Sequence, residues 1–73
     1  MATVDARGLL CPLPLTMAKR RMAELGTGDM LLVLATDPEA SIDLAAWAAE
    51  AGHSFARATR KGWAEYALAK AAG

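Results

Sequence analysis

Two segments of the chain have the apolar spacing of amphipathic helices. The first runs from Pro12 to about Leu25, and Gly26 follows it as a helix stop. Its apolar residues recur every three or four positions at Leu15, Ala18, Met22 and Leu25. The second opens after Asp37-Pro38, with Asp37 or Ser41 as its cap, and ends at Gly52. Its predicted buried side holds Ile42, Leu44, Ala45, Ala48 and Ala51, and its polar side holds Glu39, Asp43 and Glu50.

Four shorter segments have the composition of strands. Residues 2–6 contain Thr and Val, and residues 29–36 are continuously apolar after the first position. Such an apolar run is typical of an interior strand covered by helices. Residues 53–60 and 63–70 are predicted to form a hairpin joined at Lys61-Gly62, with Phe55, Tyr66 and Leu68 facing inward.

The order of these elements predicts the fold class. It reads βαβαββ, and right-handed strand–helix–strand units put both helices on the same face of one sheet. We therefore predict a two-layer α/β sandwich with a mixed four-stranded sheet whose other face is uncovered. A chain of 73 residues has room for a single small domain, which we expect to span residues 1–73.

Composition narrows the classes of partner. Eight basic residues balance eight acidic ones, so no broad attraction to nucleic acid or to an anionic membrane is expected. The longest strongly apolar run, residues 30–35, is far shorter than the roughly 20 residues that span a bilayer. Residues 1–5 carry neither a charged leader nor an apolar signal core, which favours a cytoplasmic protein. With one cysteine and one histidine, His53, no metal site is expected.

The single cysteine, Cys11, precedes two prolines at the start of the first predicted helix. Pro12 keeps Cys11 out of the helical conformation, so we predict Cys11 as the N-cap and Pro12 as the first helical residue. Pro14 is tolerated in the first turn. The positive helix end, with the amides of Leu13 and Leu15, is expected to lower the thiol pKa from about 8.5. This predicts a reactive thiol. The alternative is a small buried apolar cysteine.

Other residues of the loop before Cys11 and of the first helix have predicted roles, and some of them have two interpretations. Arg7 is expected to stabilise a thiolate or persulfide anion, or else to be an exposed loop arginine. Gly8 is predicted to adopt positive φ, and Asp5 to cap backbone amides of the same loop. Three residues of the first helix are candidates for partner docking, with a solvated helix face as the alternative: Met17, expected to be exposed and adaptable, and Lys19 and Arg20, expected near Thr16 about two turns below Cys11.

The segment from Asp5 to Pro14 resembles the signature of a known family. It reads Asp-x-x-Gly-Leu-x-Cys-Pro-x-Pro, which is similar to the motif of the TusA family, also called SirA-like. Weaker similarity at Asp37-Pro38, Gly52-His53 and Gly62 extends over nearly the whole chain. The resemblance implies a βαβαββ sandwich. It also implies that Cys11 accepts sulfane sulfur from a cysteine desulfurase or rhodanese-like donor and passes it to an acceptor protein as a persulfide.

The resemblance leaves the pathway open among tRNA thiolation, molybdenum-cofactor enzymes and sulfur oxidation. Leu10 and Leu13 stand where some relatives have charged or polar residues, so they are candidates for partner choice. The chain would be a cosubstrate of sulfur transfer that needs no cofactor, and not an autonomous enzyme. Two alternatives remain: a thiol redox or regulatory module in which Cys11 forms mixed disulfides, and a protein-interaction module in which Cys11 is incidental. The uncovered sheet face would serve such an interaction or a weak homodimer.

Overall fold

The elements follow one another in the predicted order. A computed structural model of the chain describes residues 2–71. It contains β1 (Ala2–Ala6), α1 (Leu13–Ala23), β2 (Met30–Ala35), α2 (Glu39–Ala51), β3 (Ser54–Thr59) and β4 (Ala64–Ala69). Residues 1, 72 and 73, which the predicted domain over residues 1–73 includes, lie outside the described part of the chain.

The four strands form one mixed sheet in the spatial order β1-β2-β4-β3. β1 is parallel to β2, and β4 is antiparallel to both of its neighbours. Val4 pairs with Val33, which pairs in turn with Tyr66, so these three side chains lie on the same face of the sheet. Both helices pack on that face and contact each other. The predicted two-layer α/β sandwich is confirmed.

The core lies between the helices and this face of the sheet. Its strand residues are buried at alternate positions, as the two-residue period of a strand requires. Tyr66 and Leu68 are buried as predicted, and Phe55 packs against the core with its ring stacked on Tyr66 at a centroid distance of 5.8 Å. The buried apolar residues are Val4, Ala6, Ala18, Met22, Leu31, Val33, Ala35, Ala40, Leu44, Ala48, Tyr66 and Leu68.

The buried side of α2 differs from the prediction at two positions. Ala40, Leu44 and Ala48 are buried, and their spacing of four residues defines the side that faces the core. Ile42 lies two residues from both Ala40 and Leu44, on the opposite side of the helix, and its side chain is 70% exposed. Ala51, the last residue of the helix, is also exposed. Placing Ile42 and Ala51 among the buried residues was therefore wrong.

Helix α1 is shorter than predicted at its carboxyl end. It ends at Ala23 and not at about Leu25. The amides of Glu24 and Leu25 bond to carbonyls three residues back, at Arg21 and Met22, with N···O distances of 3.0 and 3.1 Å. Bonds of this 3₁₀ type end the α-helix before Gly26.

The topology places both helix starts at one edge of the sheet. Because β1 and β2 are parallel, the loops that follow them leave the sheet at the same edge, and each loop leads into a helix. The Gly8 amide donates to Thr36 Oγ1 at 2.9 Å, which joins the two loops directly. Within residues 2–71, neither helix has the length and apolar character needed to cross a membrane.

Candidate functional site

Cys11 lies in the turn between β1 and α1 and is half-buried. The Leu13 amide donates to the Leu10 carbonyl at 2.9 Å, and the Thr16 amide donates to the Pro12 carbonyl at 3.0 Å. The second of these spans four residues, so Pro12 is the N-cap and Leu13 the first helical residue. Cys11 therefore precedes the cap, and its prediction as the N-cap was wrong by one position. Pro14 lies in the first turn, as expected, and is buried.

The Cys11 thiol is held by a carboxylate of the other helix. Sγ donates to Asp43 Oδ2 at a distance of 2.7 Å. This bond is the main reason that the pKa of Cys11 rises from 9.0 to about 11, followed by partial burial and by the negative charges of Asp43, Glu39 and Asp37. The predicted lowering of the thiol pKa was wrong, because carboxylates of α2 and of the loop before it surround the thiol, and the Leu13 amide is occupied by Leu10.

Asp37 joins the cysteine turn to the start of α2. Its Oδ2 accepts a hydrogen bond from the Cys11 amide at 2.8 Å, and its Oδ1 accepts one from the Glu39 amide at 3.0 Å. The amides of Glu39 and Cys11 stabilise the charged carboxylate, so the pKa of Asp37 is lowered. The side chain of Asp37 thus caps the helix, although Pro38 occupies the N-cap position of the backbone. Ser41 instead accepts a hydrogen bond from Arg57.

Asp5, Arg7 and Gly8 shape the loop before the cysteine. Asp5 accepts hydrogen bonds from the Arg7 guanidinium at 2.9 Å and from the Arg7 amide at 3.2 Å, and these bonds lower the Asp5 pKa to about 2. The guanidinium also lies over the Trp63 ring, 5.0 Å from its centroid. The Arg7 guanidinium is thus directed toward Asp5 and Trp63. The charged groups that shift the Cys11 pKa are carboxylates. Gly8 has φ +83°, as predicted.

Three large apolar side chains on the cysteine turn and on α2 face solvent. Leu10 and Leu13 flank the cysteine turn and are 73% and 48% exposed. Ile42 immediately precedes Asp43 and is exposed as described above. We call Leu10, Leu13 and Ile42 the apolar rim. Patches of exposed apolar side chains with polar groups around them are typical of surfaces that bind other proteins.

The candidate docking residues of α1 do not share one face. Met17 is half-buried and packs against the core, so its prediction as an exposed residue was wrong. Lys19 is exposed beside a surface hollow of about 400 Å³ that Trp47 and His53 also line. Arg20 is exposed beside a different hollow, of about 370 Å³, between α1 and β1. The two cations therefore border different sides of the helix.

Asp43 is the site residue that the sequence analysis missed. It was assigned only to the polar side of α2, together with Glu39 one turn earlier. The predicted topology could have indicated Asp43, because both helices start at the same edge of the sheet. A carboxylate in the first turns of α2 is therefore placed near the residue that precedes α1.

Other titratable groups do not extend the site. Within residues 2–71, no group of three or more His, Cys, Asp and Glu side chains is arranged to hold a metal ion. His53 Nδ1 accepts a hydrogen bond from the Ala71 amide at 2.8 Å, and its ring lies edge-on to Trp47 at 5.1 Å. The chemistry available around Cys11 is thus that of one thiol that bonds to the Asp43 carboxylate and is influenced by the negative charges of Asp43, Glu39 and Asp37.

Comparison with known proteins relates this arrangement to other chains. YrkI of Bacillus subtilis is 44% identical over 59 residues, which are 81% of this chain and 79% of that protein. The sulfur carrier protein TusA of Allochromatium vinosum is 37% identical over 59 residues, covering 81% of this chain and 78% of that protein. Some relatives are longer: in YrkF of B. subtilis, 44% identical over 52 residues, the matched part is 28% of the protein.

A solved structure and a family model cover almost all of the chain. The crystal structure of a SirA-like protein from Desulfitobacterium hafniense superposes with a TM-score of 0.89 at 30% identity, covering 99% of this chain and all of that one. The family model described as sulfurtransferase TusA matches residues 2–70. With its fold, its cysteine turn and these matches in agreement, the chain belongs to the TusA family.

Proposed function

We propose that this protein is a sulfur carrier that holds sulfane sulfur on Cys11 as a persulfide. The observation that carries the proposal is the placement of the Cys11 thiol, in a surface turn between the exposed side chains of Leu10 and Leu13. A carrier thiol must be reached by two different proteins in turn, and a turn at the end of the molecule allows this. Membership of the TusA family, which includes the sulfur carrier protein of A. vinosum, supports the same function.

The transfer needs no external oxidant or reductant. The Cys11 sulfur attacks the outer sulfur of a persulfide on the donor protein, and a new S–S bond forms on Cys11. The donor S–S bond breaks, and its electron pair leaves with the donor's inner sulfur. The proton lost by the Cys11 thiol balances the proton taken up by that departing thiolate. Attack by an acceptor thiolate on the outer sulfur of Cys11 then repeats the exchange and restores the free thiol.

The donor proposed here is a cysteine desulfurase or a rhodanese-like protein, and the acceptor is a second protein. The apolar rim offers a contact surface to both, and the charged side chains around it set orientation and rate. The acceptor pathway is proposed among tRNA thiolation, molybdenum-cofactor synthesis and sulfur oxidation, in the cytoplasm. In this role the protein is a cosubstrate that takes part in sulfur transfer without a cofactor of its own.

Intact-protein mass spectrometry tests the proposal. The protein is incubated with a cysteine desulfurase and cysteine, or with a rhodanese and thiosulfate. The expected result is a gain of one sulfur atom that dithiothreitol reverses and that the Cys11→Ser variant does not show. If neither donor adds sulfur to the wild-type protein, the proposal is wrong.

A further inference from the structure

The hydrogen bond between Cys11 and Asp43 depends on whether Cys11 carries sulfur. In the free thiol, Sγ holds one hydrogen atom and gives it to Asp43 Oδ2 at 2.7 Å. In a persulfide, Sγ is bonded to Cβ and to the outer sulfur, so it has no hydrogen left to donate. The contact described here can therefore exist only in the unloaded protein.

We propose that Asp43 is a positioning residue that distinguishes the unloaded from the loaded state of Cys11. It holds the free thiol against α2 by accepting its hydrogen, and it releases the side chain when Sγ becomes part of a persulfide. This inference rests on the proposed carrier function and concerns how the same site is regulated. It assigns a role to a residue that lies 32 positions from the cysteine in the chain.

Electrostatics determines what happens to the loaded side chain. A carboxylate oxygen facing a sulfur that offers only lone pairs is repelled, so the persulfide turns away from Asp43. The groups of α2 and of its preceding loop that act on Cys11 are Asp43, Glu39 and Asp37, and each disfavours an anion there. An anionic outer sulfur is therefore directed toward solvent and the apolar rim, where an acceptor would bind.

This arrangement affects the equilibrium as well as the geometry. The hydrogen bond stabilises the free thiol and has no counterpart in the loaded state, so it shifts sulfur exchange toward release. Glutathione persulfide and the Cys11 thiol exchange sulfur in a balanced reaction that gives glutathione and the Cys11 persulfide. The equilibrium constant of this reaction, here called the exchange constant, measures how strongly the loaded form is favoured. Asp43→Asn removes the charge and weakens the bond, so we expect its exchange constant to be about tenfold larger than that of the wild type.

Glu39→Gln is the matched control. It removes a carboxylate from the same helix that acts on the thiol through its charge, while the hydrogen bond to Asp43 remains. We expect its exchange constant to stay within about twofold of the wild type, since a charge without contact acts weakly at a solvated surface. Circular dichroism of both variants establishes that they fold, and Asp43→Glu, which keeps the carboxylate, should restore part of the wild-type behaviour.

A second measurement tests the contact without any sulfur donor. The rate of alkylation by iodoacetamide is followed against pH, and the thiol pKa of Asp43→Asn should fall from about 11 toward the ordinary value of 9.0. An unchanged alkylation profile in this variant would overturn the role of Asp43. If the wild type accepts sulfur but Asp43→Asn has the same exchange constant as the wild type, the role of Asp43 is overturned and the carrier function is not. Failure of the wild type to load, despite a shifted alkylation profile, would instead overturn the carrier function and with it the release step.

Discussion

At the scale of single residues, the reactivity of Cys11 is decided by its neighbours in space. The two prolines after it correctly indicated a turn at the start of a helix, and Gly8 correctly indicated a left-handed residue in the loop before it. The direction of the pKa shift was wrong because it depends on Asp43, which the folding of α2 onto α1 brings to the thiol. A pattern of adjacent residues carries no information about such a contact.

The raised thiol pKa predicts a specific pH dependence. At neutral pH the thiolate is a small minority, and its fraction grows about tenfold per pH unit until the pH approaches about 11. The alkylation rate of the wild type should follow the same curve, measured by mass spectrometry between pH 7 and pH 11. A rate that levels off below pH 9 would contradict the Asp43 contact.

The same shift links the thiol to stability. The folded protein binds the thiol proton more tightly than the unfolded chain, whose thiol has the ordinary pKa of 9.0. The stabilising contribution of the bond is thus complete below pH 9 and is lost as the pH rises toward 11. Urea unfolding should show the wild type losing stability over this interval relative to Cys11→Ser, which lacks the thiol but keeps every other group that titrates there. If the free energies of unfolding of the two proteins changed in parallel with pH, that result would count against the contact between Cys11 and Asp43.

Replacing Leu10 tests the apolar rim. Leu10→Ser removes an exposed apolar contact beside Cys11 but leaves the thiol intact, so loading from a desulfurase should slow by about tenfold. Loading from inorganic polysulfide should be unchanged, because a small donor needs no docking surface. Met30→Ser is the control, since Met30 is also exposed but begins β2, at the edge of the sheet opposite to the cysteine turn. Equal effects of Leu10→Ser and Met30→Ser would show that the rim is not a docking surface.

At the scale of elements, the order and type of all six followed from apolar periodicity and from glycine and proline positions. The errors lie at positions where periodicity alone is insufficient. Met17 was placed outside the core and Ile42 inside it, because a helical wheel gives relative angles without showing which neighbouring elements cover each side. The early end of α1 depends on bonds to Arg21 and Met22 that no residue type signals.

The loop that carries the cysteine depends on the conformation of Gly8. At φ +83° a β-carbon is unfavourable for the backbone, although nothing lies within 4 Å of where it would be. Gly8→Ala should therefore lower the free energy of unfolding by about 1 kcal/mol through backbone strain alone. Gly26→Ala is the matched control: Gly26 lies outside the left-handed region, and its added β-carbon would make an ordinary contact of 3.5 Å with Asp29. Urea unfolding should show the larger loss in Gly8→Ala; the reverse order would contradict the strain argument.

At the scale of the whole molecule, parallel pairing of β1 and β2 brings the site together. It sets the cysteine turn beside the start of α2, so that Asp37 binds the Cys11 amide while Asp43 binds its sulfur. Since the two helices cover only one face of the sheet, the core is a single layer with many alanines. Alanine buries little area, so stability depends on a few larger side chains.

Neighbouring positions on α2 allow this dependence to be measured. Leu44 is fully buried, and Leu44→Ala should lower the free energy of unfolding by about 2–5 kcal/mol, since it removes packed methyl groups and leaves a cavity. That is a large part of the roughly 5–15 kcal/mol that stabilises a typical domain. Ile42→Ala removes a similar volume from the exposed side of the same helix, so its effect should stay within about 0.5 kcal/mol. Urea unfolding of both variants distinguishes the two positions. Comparable losses would mean that Ile42 belongs to the core, as its apolar character had suggested, and would remove it from the rim around Cys11.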